Sequence, residues 1–190
     1  MADLKTYDIV DFAVLGEMRR YFYAHGEKRI LKKGEFFCRM EWPANEIGLV
    51  TDGVFGFSRP DYRGHPQILT LASKGELVGA VISLRPTKLS GFDVRALSRA
   101  EVLSLPMAKM FDDIETQHPG FRLMFTDAIA YGFMMRGIAF RCASAEERYN
   151  ELRVRIPDIC TRIPMSSIAS YLGISREAFA RMRGKLSKKS

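Results

Sequence analysis

The chain has 190 residues, 47% hydrophobic and 27% charged, which is enough apolar material for real cores and excludes a wholly disordered protein. Its longest apolar stretch, 128–135, is far short of the roughly 20 residues a bilayer crossing needs, and the opening Met-Ala-Asp-Leu-Lys-Thr-Tyr-Asp lacks the basic and apolar parts of a secretory leader. The net charge of +7 is concentrated: residues 141–190 hold eleven basic residues against five acidic ones, while the first 140 residues are nearly neutral.

The first thirty residues read as helical and of mixed polarity. From Lys32 glycines recur at 34, 48, 53, 56, 64, 75, 79 and 91, and between them lie short runs rich in Val, Ile, Leu and Phe. Runs 36–40, 46–50, 54–58, 67–72, 77–82, 92–97 and 101–105 are each about strand length. The turn chemistry of Trp42-Pro43-Ala44-Asn45, Thr51-Asp52-Gly53, Asp61-Tyr62-Arg63-Gly64 and Ser73-Lys74-Gly75 separates them. Closely spaced short strands predict an antiparallel barrel, sandwich or roll rather than alternating β-α units. Neither a GxGxxG nor a GxxxxGK[ST] phosphate loop is present.

Beyond Pro106 the texture becomes helical, with a short helix over 107–115 and a break at His118-Pro119-Gly120. Phe121, Met124, Ala128, Tyr131, Met135, Ile138, Cys142 and Ala145 then alternate spacings of three and four, the seam of a helix that meets a twin. Phe125, Ile129, Phe133 and Phe140 widen that stripe, so a second face packs on the chain's own β-domain. Ser144 and Glu147 form a capping-box pattern that opens a helix running to about Arg155. In the last unit Ile168, Ala169, Leu172, Ile174, Ala178, Phe179 and Met182 supply one small core. Gly173 permits a tight bend between two helices, and Ser175 caps the second. That is a helix-turn-helix pattern, and Arg176, Arg181, Arg183 and Lys185 lie on the face away from the apolar residues, where they would meet DNA. A basic segment on a near-neutral body is what contact with phosphates needs; a solvated basic face is the plain alternative.

A Gly-punctuated β-roll, a long dimer helix and a terminal Leu-Gly-Ile-Ser-Arg-Glu helix-turn-helix together resemble the Crp/Fnr family of bacterial transcription regulators, over about 28–186 and most specifically over 168–186. The resemblance implies an α+β chain with a sensory β-roll domain at 1–117, a dimerisation helix at 118–143 and a DNA-binding domain at 144–190. It implies base reading by Arg176, Glu177 and Arg181, which fall on an Arg-Glu-x-x-x-Arg run. That assignment is chemically sound, since Arg pairs bidentately with guanine and a carboxylate accepts from a cytosine amino group. Ser166 and Ser175 match phosphate-contacting positions, and Lys185, Lys188 and Lys189 add basic charge beside them. The dimer seam comprises Phe121, Met124, Ala128, Tyr131, Met135, Ile138 and Cys142. The partners implied are double-stranded DNA, a second copy, RNA polymerase and a small-molecule effector, with no membrane.

An effector pocket falls on Gly75, Gly79, Ala80 and Ser90. Here the chain departs from the cyclic-nucleotide-binding branch, whose ribose-binding Glu and phosphate-binding Arg positions are Ala80 and Ser90. Glu76 comes too early and Arg85 sits in a loop, so cyclic AMP in its usual pose is not expected. Cys38, Cys142 and Cys160 are odd in number and far apart, which argues against a disulfide framework, a thiol-redox pair or a sequence-local zinc site, and predicts a reducing cytoplasm. They are too few for the iron-sulfur branch. His65 and Cys38 read better as exposed and core residues than as haem ligands, so no cofactor is implied. Only Ser187-Lys-Lys-Ser follows the last helix, so a terminal wing is not expected. No nucleophile elbow or metal-ligand spacing supports an enzyme. The competing reading is a ligand-binding module whose C-terminal helices dock a protein.

Overall fold

The computed structural model describes residues 12–80 and 89–187. The chain opens with α1 (Phe12–His25), then runs through β1 (Glu27–Leu31), β2 (Phe36–Cys38), β3 (Glu46–Asp52), β4 (Phe55–Pro60), β5 (Pro66–Ala72), β6 (Leu77–Gly79), β7 (Asp93–Ala96) and β8 (Ala100–Pro106). These strands form two antiparallel four-stranded sheets, in the orders β1-β8-β3-β6 and β2-β7-β4-β5. The helices follow: α2 (Met107–Gln117), α3 (Phe121–Cys142), α4 (Ala145–Arg155), α5 (Ile159–Arg162), α6 (Met165–Leu172) and α7 (Arg176–Leu186).

The expected strands appear, apart from the end of the 77–82 run, which lies outside the described residues. One expectation is corrected: the first thirty residues are not all helical. The helix stops at His25, and Glu27–Leu31 pairs with β8, Glu27 opposite Ser104 and Leu31 opposite Ala100. Three of its five residues are charged and only Leu31 is buried, so the strand carries no alternating apolar signal.

Two apolar layers flank the first sheet. Phe37, Val50, Phe55, Val78, Phe92, Val94 and Val102 fill the space between the sheets. On the other side Ile47, Leu49 and Leu105 pack under Met18, Phe22, Met110, Phe111, Phe121 and Phe125 of the helices. With both faces covered, β3 reads as a nearly continuous apolar run, Ile47-Gly-Leu-Val50, rather than an alternating one.

The start of α3 is anchored in this second layer. The ring centroids of Phe111 and Phe125 lie 5.0 Å apart, and those of Phe111 and Phe121 lie 5.7 Å apart. The Glu115 carboxylate accepts the backbone N–H groups of Gly120 and Arg122, both at 2.8 Å, which closes the break between α2 and α3 and holds that carboxyl below its ordinary range. Phe125 is fully buried, so Phe125→Ala should cost about 3–5 kcal/mol, read as a fall in the urea midpoint.

Candidate nucleic-acid interface

The terminal helical pair is built by its caps and its core. Gly173 ends α6 with φ +67°, and the Ile174 N–H returns to the Ala169 carbonyl at 3.1 Å. The left-handed φ favours glycine here, and a Cβ at position 173 would stand 2.8 Å from the tip of the exposed Phe140 ring, which would have to shift. Ser175 Oγ then accepts the Ala178 N–H at 3.1 Å and starts α7. Ile168, Ala169, Leu172 and Phe179 are buried against Tyr149, Leu152, Ile156, Ile159 and Ile163. Tyr149 stacks edge-on to Phe179 at 5.1 Å and pairs with Cys160 Sγ at 2.9 Å. Burial, then the Cys160 contact, push its phenol up to about 12.

With its apolar side so occupied, α7 turns Arg176, Glu177, Arg181 and Lys185 outward, all exposed, while Arg183 is half-buried. Among the described residues neither Arg176 nor Arg181 forms an ion pair, so their guanidinium forks are available. Glu177 is held below its usual carboxylate range by its own backbone N–H and by the Ser175 hydroxyl, so near neutral pH it is an acceptor. Ser166, at the start of α6, and Ser175 are exposed on the same unit; Lys188 and Lys189 lie outside the described residues.

Two arrangements here have no local sequence signal. First, the unit packs on the β-roll: Val54, Leu71 and Leu97 belong to its apolar cluster. Ser170 Oγ accepts the Ile68 N–H at 2.9 Å on the free edge of β5, and Arg155 reaches Glu76 at 3.4 Å. Second, Arg148 on α4 joins two helix ends. It donates to the Phe140 carbonyl in the last turn of α3 at 2.9 Å and to the Leu172 carbonyl of α6 at 2.7 Å, with its guanidinium 4.4 Å from the Phe140 ring.

Along α3 the seam residues divide. Met124 (47% exposed), Tyr131 (46%) and Ile138 (40%) face outward with Cys142, while Ala128 and Met135 are half-buried. Phe121 departs from the expected seam. It is 1% exposed inside the chain's own core, because the break at Gly120 turns the first residue of the helix onto α2.

The expected effector residues are also split. Gly79 pairs with Ile47 at one end of β6, and Ala80 is buried among the inter-sheet residues. Ser90 is buried, its hydroxyl accepting the Phe92 N–H and donating to the Phe92 carbonyl. Gly75 stands at the opposite end of β6, in the turn where its N–H meets the Val50 carbonyl. Glu76 is committed to that turn, accepting the Ser73 N–H at 2.7 Å. Burial raises the Cys38 thiol and keeps it neutral. Arg85 lies outside the described residues. Among the described residues no cluster of three His, Cys, Asp or Glu side chains could hold a metal, and no helix is long and apolar enough to cross a membrane.

The two antiparallel sheets with their flanking helices match a known family model, the cyclic nucleotide-binding domain, over residues 28–117. Similar solved structures extend the likeness across most of the chain. FixK2 from Bradyrhizobium japonicum superposes with a TM-score of 0.72 at 15% identity, covering 86% of this chain and 85% of that one. The c-di-GMP responsive global regulator CLP of Xanthomonas campestris gives 0.64 at 15% identity, covering 92% of each chain. A putative cyclic nucleotide binding protein from Ruegeria pomeroyi gives 0.66 at 19%, covering 91% and 80%. The chain thus shares the fold of these solved structures, with the family-model match confined to its first part. Curated protein sequences show no significant match.

Proposed function

We propose that the protein is a homodimeric, sequence-specific DNA-binding transcription regulator of the Crp/Fnr type, acting with RNA polymerase. The observation that carries this reading is α7: a capped helix with its apolar side packed through Phe179, and Arg176, Glu177 and Arg181 exposed and without salt bridges among the described residues. The helix N-terminus delivers Arg176 and Glu177 to base edges, and Arg181 follows about one turn later on the same face. In a dimer the two heads would meet half-sites about 34 Å apart. Ala80, buried among the apolar residues between the sheets, and Ser90 stand where a carboxylate and a guanidinium would hold cyclic AMP. That supports an effector other than cyclic AMP in its usual pose.

The test is a comparison of two substitutions on a site selected from random DNA. Arg181→Ala should weaken that site by about 1–3 kcal/mol and relax preference at one base pair. Lys185→Ala should weaken all sequences alike and flatten the salt dependence by about one phosphate contact. Equal loss on specific and random DNA with Arg181→Ala would reduce α7 to a basic patch, and failure to select any site would favour a protein-docking helix.

A further inference from the structure

A cleft of about 380 Å³ opens on the roll beside the β4–β5 hairpin, lined by Arg39, Met40, Trp42, Ser58, Arg59 and Asp93 among others. Its volume falls in the range of small-molecule sites. It is not the space between the sheets. Val94 and Phe57 face that inner space, and side chains alternate along a strand, so the paired neighbours Asp93 and Ser58 point out of the roll. The thickness of the second sheet separates this cleft from Ala80 and the inter-sheet core.

Its chemistry is specific. The Arg39 guanidinium carbon stands over the Phe36 ring, 4.7 Å from its centroid, and over the Trp42 ring, 5.3 Å from its centroid. A guanidinium held by cation–π contacts keeps N–H donors that can meet an anion. Arg59, at the exposed end of β4, has no ion-pair partner among the described residues, and neither does Arg39. Two guanidinium groups that no carboxylate pairs therefore line one cleft, the donor chemistry a phosphate needs. Trp42 is 59% exposed, a large flat apolar face left in water at the cleft wall. The Asp93 carboxylate, which accepts the Met40 N–H at 2.9 Å, adds the site's acidic group, an acceptor for a hydroxyl or amino group but repulsive to a phosphate placed beside it.

A flat ring, an anion and hydroxyl or amino donors on one small molecule describe a nucleotide. We propose that this outer cleft binds a nucleoside monophosphate, its base stacked on Trp42 and its phosphate held by Arg39 and Arg59. The site is separate from the DNA-reading helix, and neither proposal depends on the other.

Trp42 is the single tryptophan of the chain, so its emission reports on this cleft alone. The full chain is titrated with AMP, adenosine and inorganic phosphate, following Trp42 emission and heat in parallel. AMP should quench the emission saturably, with adenosine and phosphate each at least tenfold weaker because each offers half of the contacts. Arg59→Ala, a substitution of an exposed side chain, should weaken AMP at least tenfold, and Arg39→Ala should do the same. Absence of saturable AMP binding up to millimolar concentration overturns the proposal. So does AMP binding that persists unchanged in Arg59→Ala, which would place the nucleotide elsewhere. A response to a DNA oligonucleotide but not to AMP also overturns it, assigning the cleft to a polymer.

Discussion

Met135→Asp combined with Ile138→Asp should convert the protein to a monomer at micromolar concentration and reduce operator affinity by at least a hundredfold. Over its 22 residues α3 extends about 33 Å and leaves Met124, Tyr131 and Ile138 turned away from the chain's own core. Those three residues recur every seven, the spacing at which one helix presents a continuous ridge to another, and half-buried Ala128 and Met135 flank them. Paired with a twin, the double variant would place four carboxylates in an apolar contact, each costing several kcal/mol without a partner. The loss of DNA binding follows from geometry, since two heads on one dimer gain about 10²–10⁴ in avidity over a single head. Thr126→Asp, exposed and off the ridge, should remain dimeric. Sedimentation of all three proteins checks the assignment; an unchanged double variant would make the outward ridge an ordinary surface.

What the sequence disclosed and what it withheld follow one physical division. The strands from Phe36 onward announce themselves because turn residues bracket them, as Asp61 does by accepting the Arg63 and His65 N–H groups in the β4–β5 hairpin. The helical hairpin is equally legible, because Gly173 and Ser175 are demanded by local backbone geometry. Glu27–Leu31 is invisible by the same logic: its strand character comes from pairing with β8, about seventy residues away, and its side chains show no period. Phe121 fits the heptad by spacing, yet as the first residue after the break at Gly120 it packs on Phe111 and enters the chain's own core. The base-reading candidates could be named from the motif. Ser170 on the β5 edge and the role of Arg148 could not, since nothing in Ser-Tyr-Leu or Glu-Arg-Tyr encodes a distant carbonyl or N–H.

Arg148→Ala should loosen the reading head from the dimer helix and weaken operator binding about tenfold or more while leaving the dimer intact. The side chain ties together the end of α3 and the end of α6, two places where helix carbonyls lack partners of their own. Each bond from a charged donor contributes about 1.5–3 kcal/mol, and the Phe140 ring, which closes over Gly173, adds a cation–π contact. Without the guanidinium, both carbonyls lose their donor, and the turn that sets α7 against α3 is held by packing alone. The two heads of a dimer must present their helices at a fixed separation, so angular freedom at this joint is lost affinity for a two-fold site. Arg148→Lys should recover only part of the loss, because one ammonium cannot reproduce a fork that spans two carbonyls. Salt dependence separates this role from a contact with DNA. A positioning residue leaves the slope of log K against log salt unchanged, whereas a phosphate contact removed from the interface lowers that slope by about one. A flattened slope in Arg148→Ala would therefore move the residue from the joint to the DNA surface. An unchanged affinity on the selected site would mean that the apolar contacts of Val54, Leu71 and Leu97 already fix the head.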